Sequence, residues 1–190
     1  PERRRIHGDI RGEQPGPTML LMAGIHGNAP AGLEACEAVL ARLRSEAIPL
    51  RGRVVAAIGN LQALAAGVRY EDRDLNRQWL PERLARLEGG DSLEDPEGRE
   101  QEELVQLFTT LEREAGGKLL CCDLHTSSGD GPPFVCMADT LDNRRLALRI
   151  PVPVILGLEE CIDGAVMEWF NGRGLCCLAL EGGRHLAPES

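Results

Sequence analysis

At 190 residues the chain is long enough for one domain with a sizeable core. Its formal charge of −9 and pI near 5.0 argue against nucleic acid as a partner, since phosphate neutralisation needs clustered Lys and Arg. No apolar stretch approaches the roughly 20 residues that span a bilayer, and Pro1 to Gly16 is too polar for a signal peptide. The expectation is a soluble, cytoplasmic protein without a membrane partner. The short basic run Arg3-Arg4-Arg5 reads as a solvated, frayed start.

In chain order, the apolar run Met19 to Ile25 reads as a buried strand. Pro30 to Glu46 reads as a helix, with Pro30 in its first turn and Leu33, Cys36, Val39, Leu40 and Leu43 at helical spacing. Arg53 to Ile58 is a second strand, and Leu61 to Ala66 a short helix closed by Gly67. Glu82 to Leu87 is a short helix ahead of a Gly/Asp/Ser loop. Glu97 to Glu114 is an amphipathic helix, with Leu104, Leu107, Phe108 and Leu111 on one face and Gly116-Gly117 as its stop. Leu119 to Leu124, Phe134 to Met137, Pro153 to Leu156 and Leu175 to Leu180 read as four more strands. Helices over Leu141 to Arg149 and Gly164 to Phe170 fall between the later ones. This alternation predicts an α/β fold with a mixed, mostly parallel sheet flanked by helices and ligands at the carboxyl ends of the strands.

Seven cysteines include the adjacent pairs Cys121-Cys122 and Cys176-Cys177 within apolar runs, where neighbours point to opposite faces. That is neither zinc-ribbon nor disulfide spacing. Small buried apolar residues in a reducing compartment are expected.

The chemistry starts at His26-Gly27-Asn28-Ala29, on a strand-to-helix turn. A histidine and a carboxylate three residues apart there can reach one zinc ion, but position 29 has no ligand atom. His125 closes the run Leu119 to Leu124 in the same way. A strand-end histidine taken singly is more often structural than ligating; two at equivalent positions leave a structural pair and a metal site both open, and a metal so held would keep one position open. Asp74 is placed to accept the second ring N–H of His26. Asn76 and Arg77 are the donor types that grip a carboxylate, and Arg69 and Arg73 add positive charge nearby. Read by itself, that segment is also compatible with a solvated charged loop. Glu181, at the end of Leu175 to Leu180 and before Gly182-Gly183, is a candidate general base.

His26-Gly27-Asn28, Asp74-Leu75-Asn76-Arg77, Asp123-Leu124-His125-Thr126 and Leu180-Glu181-Gly182-Gly183 occur in the order and approximate spacing of the succinylglutamate desuccinylase/aspartoacylase family, a branch of the zinc carboxypeptidase superfamily. Gly24-Ile25-His26, Gly67-Val68-Arg69-Tyr70 and Pro132-Pro133-Phe134 resemble it too. The resemblance covers nearly the whole chain. It implies a carboxypeptidase-like fold and a deacylase that cleaves the amide bond of a small anionic N-acyl amino acid. It also implies one Zn2+ held by His, Glu and His. By position, His26 and His125 match the metal ligands and Glu181 the catalytic glutamate. Arg69, Asn76 and Arg77 match substrate-binding residues, with Arg69 also a candidate to stabilise the oxyanion. Ala29 replaces the ligand glutamate, and Glu34 lies too far along the helix to substitute. The sequence therefore leaves two readings open: a zinc deacylase impaired by Ala29, or a silent carboxylate-binding homologue. Residues 1–190 are expected to form one catalytic domain without the further C-terminal segment usual in the family. A dinucleotide binder is disfavoured, because no Gly-x-Gly-x-x-Gly turn or phosphate loop is present.

Overall fold

The computed structural model describes residues 4–46 and 48–185. The chain runs β1 (Ile6–Arg11), β2 (Gln14–Ala23), α1 (Ala31–Ser45), β3 (Arg51–Ile58), α2 (Leu61–Ala66), α3 (Pro81–Glu88), α4 (Pro96–Ala115) and β4 (Leu119–Ser127). It continues through β5 (Phe134–Met137), α5 (Leu141–Ala147), β6 (Val154–Ile155), α6 (Met167–Asn171) and β7 (Cys176–Arg184). All seven strands form one sheet in the order β1-β3-β2-β4-β7-β5-β6. Pairs β2/β3, β2/β4, β4/β7 and β5/β6 are parallel, whereas β1/β3 and β5/β7 are antiparallel. The architecture is thus α/β, with a mixed and mostly parallel sheet flanked by helices.

The central strands are covered on both faces, which is why they read as continuous apolar runs rather than as alternating ones. Leu20 and Met22 of β2 and Val55 and Ala57 of β3 face one core, while Ala23, Val54, Ala56 and Ile58 face the other. The first core centres on Phe108 of α4, whose ring lies 5.7 Å from Trp79, 5.3 Å from Trp169 and 5.0 Å from Phe170. The second is closed by Leu33, Cys36 and Leu40 of α1. Local signals set the helix ends. Asp95 accepts the Gly98 N–H at 2.9 Å ahead of Pro96, and Gly116 stops α4 in the left-handed region at φ 59°.

Three expectations change. Residues 6–11, expected within a polar start, form β1, because pairing to β3 and the Arg53–Asp9 ion pair stabilise a strand with little apolar character. Arg5 is not a solvated fray residue: it pairs with Glu100 and Glu103 of α4 and donates to the carbonyls of Ile58 and Gly59. Arg3 lies outside the described residues. Strands β4 and β7 continue past their apolar runs, so His125 and Glu181 sit within strands and not beyond them. Backbone pairing carries the ladder onward after the side chains turn polar. Among the described residues no helix is long and apolar enough to cross a membrane.

Phe108→Ala, which empties the meeting point of three aromatic rings, is expected to lower the unfolding free energy by about 3–5 kcal/mol. Urea unfolding at unchanged slope checks it.

Candidate active site and its carboxylate clamps

The first imidazole is delivered by a turn that needs glycine twice. Gly24 leaves β2 at φ 67°, and a Cβ on Gly27 would meet the Ala63 backbone of α2 at 2.1 Å. His26 thereby projects from the carboxyl end of β2. Its Nε2 lies 2.8 Å from Asp74 Oδ1. His125 is the seventh residue of β4, and its Nε2 lies 2.6 Å from Asp123 Oδ2, two residues back on the same strand face. A carboxylate at Nε2 accepts the ring N–H, which keeps the proton on Nε2 and leaves Nδ1 as the lone-pair nitrogen. The two rings meet edge to face with centroids 5.5 Å apart.

Burial is the largest influence on both histidines, and it disfavours their charge. For His26 it prevails over Asp74, and the pKa falls below the ordinary value. For His125 the Asp123 and Glu181 carboxylates outweigh it, and the pKa rises.

Asp74 is held by more than one partner. Oδ1 also accepts the Asn76 N–H at 2.9 Å, starting a single 3-10 turn, Leu75–Arg77. Oδ2 accepts from Arg69 Nη2 at 2.9 Å and Nε at 3.2 Å. Burial opposes its charge, yet His26 and Arg69 together hold its carboxyl well below the usual carboxylate range. Behind this loop stands Glu97, fully buried in the first turn of α4. It accepts the backbone N–H groups of Glu71, Asp72 and Arg73 at 2.8, 3.1 and 3.1 Å, and Asn60 Nδ2 at 3.2 Å. Sequence reading missed Glu97, because an acidic residue in a first helical turn is ordinary dipole complementation.

Asn76 is buried, and its Oδ1 accepts the Val166 N–H at 2.8 Å, which leaves Nδ2 as the donor. The Arg77 guanidinium is anchored by Nη1 donating to the Asn76 carbonyl at 2.6 Å. Glu181 pairs in register with His125 on the neighbouring parallel strand, so both side chains share a sheet face. Its Oε2 is buried without a hydrogen-bond partner among the described residues.

His26, Arg69, Asn76, Arg77, His125 and Glu181 line one cleft of about 240 Å³. Arg73 does not line it; its charge acts on Asp95 instead. Glu159 and His185 do line it, and neither was singled out from sequence. His185 reaches Thr126 Oγ1 at 2.6 Å. No spacing rule connects either residue to the rest. Burial pushes the Cys136 thiol at the cleft wall up to about 12 and that of Cys122 on β4 to the same value, so neither is a ready nucleophile.

Of the three imidazoles that line the cleft, His26 and His125 have carboxylate partners and His185 bonds Thr126. Ala29 is 4% exposed and carries only a methyl group. Among the described residues no three His, Cys, Asp or Glu side chains come together to hold an ion.

A family model described as the succinylglutamate desuccinylase/aspartoacylase catalytic domain matches residues 15–144. The succinylglutamate desuccinylase of Burkholderia pseudomallei is 36% identical over 110 residues, which are 58% of this chain and 31% of that protein. The chain thus spans about a third of the length of the curated relatives it matches. Among solved structures, the succinylglutamate desuccinylase of Chromobacterium violaceum superposes with a TM-score of 0.73 at 24% identity, covering 93% of this chain and 56% of that one. A product-bound ectoine utilization protein, EutE (DoeB), from Ruegeria pomeroyi gives 0.69 at 21% identity, covering 93% and 52%. At these identities the structural likenesses speak to the fold.

Asp74 and Glu97 both have carboxyl pKa values below the ordinary ones. A carboxylate depressed in the folded state stabilises above its unfolded pKa, and that stability is lost as pH falls through the folded value. Stability is therefore expected to decline from about pH 5 downward. Glu97→Gln should cost about 1–3 kcal/mol near neutral pH by leaving backbone N–H groups unpaired, and should flatten the acid decline. Urea midpoints across the pH range test this; an unchanged acid profile in the variant would mean that Glu97 is not among its sources.

Proposed function

The chain belongs to the succinylglutamate desuccinylase/aspartoacylase family, and from that premise we propose that it is a deacylase-type catalytic domain. It binds the carboxylate of an N-acyl amino acid, and its hydrolysis of the amide bond is impaired by Ala29. The observation that carries this reading is one cleft that holds two carboxylate-clamped imidazoles, Glu181, Asn76 and Arg77.

Zinc is the cofactor this reading implies. Imidazoles with carboxylates behind them are the donors it takes, and a catalytic site supplies three protein ligands. Here His26 and His125 supply two and position 29 supplies none, so the residues present do not complete a zinc site. Loss of a ligand lowers metal affinity directly.

The chain's own residues divide the remaining work. Asn76 Nδ2 and the Arg77 guanidinium hold the substrate carboxylate. Arg69, oriented by Asp74, faces the charge that develops on the scissile carbonyl. Glu181 has a buried, unpartnered oxygen with which to accept the proton of the attacking water, and it returns that proton to the leaving amine. The incomplete ligand set favours a second reading, in which the same residues capture a carboxylate without hydrolysing the ligand.

Ala29→Glu is expected to tighten zinc binding by at least about 100-fold and to bring amidase activity on N-acyl amino acids that a chelator abolishes. Equal zinc affinity and turnover in the alanine chain would show the ligand assignment at position 29 to be wrong. Ligand binding indifferent to chelator in both forms, without turnover in either, would select the silent binder.

A further inference from the structure

Glu159 is the cleft residue that the hydrolytic roles leave unused. It opens a single 3-10 turn, Glu159–Cys161, between β6 and α6. That connection is fastened to the segment that presents Asn76 and Arg77. The Trp79 N–H donates to the Gly164 carbonyl at 3.1 Å, and the Val166 N–H to Asn76 Oδ1 at 2.8 Å. Gly164, at φ 72°, packs so closely on Arg77 that a Cβ there would meet the Arg77 carbonyl oxygen at 2.5 Å. The later part of that connection, Gly164 to Val166, is thus packed against Asn76 and Arg77.

Glu159 lines the cleft, and its Oε2 is buried with no hydrogen-bond partner among the described residues. A buried carboxylate oxygen without a donor is costly unless something supplies one. Cys136 locates it further: burial first, then the Glu181 and Glu159 charges, raise that thiol, so both carboxylates act at the same cleft wall.

The charge balance of the lining follows. Arg69 is matched by Asp74, which leaves Arg77 as the guanidinium available to a ligand carboxylate. Against it stand Glu159 and Glu181. A dianionic acyl amino acid would bring its second carboxylate into a cleft where the remaining charged groups are acids, and like charges at short range disfavour binding. A ligand with one carboxylate and one amine would meet Arg77 at one end and supply Glu159 with its missing donor at the other.

We propose that Glu159 is a specificity residue that selects zwitterionic ligands, N-acyl derivatives of basic amino acids with a free side-chain ammonium. The proposal rests on the carboxylate-binding reading of the cleft and narrows its substrate class.

Calorimetric titration of the unaltered chain with N-acetyl-L-ornithine, N-acetyl-L-lysine, N-acetyl-L-norleucine and N-acetyl-L-glutamate tests it without requiring turnover. At least one of the two basic ligands is expected to bind about tenfold or more tightly than the norleucine derivative, with the glutamate derivative weakest. Glu159→Gln should abolish the difference in affinity between the basic ligands and the norleucine derivative. Glu159→Lys should reverse the order in favour of glutamate. Norleucine binding as tight as that of both basic ligands, or a basic preference that survives Glu159→Gln, would overturn the proposal and leave the carboxylate reading standing. Failure of all four ligands to bind would overturn both.

Discussion

Asp74 accepts from His26, from Arg69 and from the backbone of Asn76, and the cleft is organised around that shared carboxylate. One oxygen orients an imidazole and starts the turn that presents Asn76 and Arg77; the other immobilises a guanidinium. Each such bond to an ionised group contributes about 1.5–3 kcal/mol, and together they order a loop that is otherwise polar and exposed. The loop in turn hangs from Glu97. A fully buried carboxylate is tolerable there because three backbone N–H groups and an amide satisfy it. The order of dependence runs from α4 through Glu97 to the loop, then to Asp74, and only then to His26.

The second imidazole depends on the sheet. Asp123 and His125 share a face of β4, and Glu181 stands beside His125 because β4 and β7 run parallel in register. An antiparallel neighbour would have brought the opposite end of its strand to this edge. Each histidine thus has its carboxylate partner in place. Ala29 lies buried three residues after His26, and its N–H bonds the His26 carbonyl at 3.2 Å. Around the pair the cleft is electrically mixed. Its arginines are tied to Asp74 or to backbone, and its acids Glu159 and Glu181 each retain an unpartnered oxygen.

Much of the fold was legible because its signals are local. The α4 limits followed from its apolar spacing and the Gly116-Gly117 stop, and β5 from a short apolar run. Strand β1 was not, since its residues gain strand character only by pairing with β3 and through the Asp9–Arg53 contact. The extensions of β4 and β7 were hidden for a related reason: backbone ladders continue under polar side chains that face a cleft. At the site, His26, His125 and Glu181 stood out at the ends of apolar runs and Asp74, Asn76 and Arg77 in a charged segment; all but Asp74, which bonds His26, line one cleft. Glu97 and Glu159 looked like ordinary surface acids.

The sequence by itself determined the alternating α/β order, the family, and the residue types that converge at the strand ends, because periodicity, capping and short motifs are properties of neighbouring residues. Tertiary structure alone decided that Glu97 holds the loop bearing Asp74, that Arg73 does not line the cleft, and that Glu159 does. Those outcomes depend on which distant backbone N–H groups and side chains are brought within hydrogen-bond reach, a matter of packing between α4, the β6–α6 connection and the sheet that no local spacing encodes.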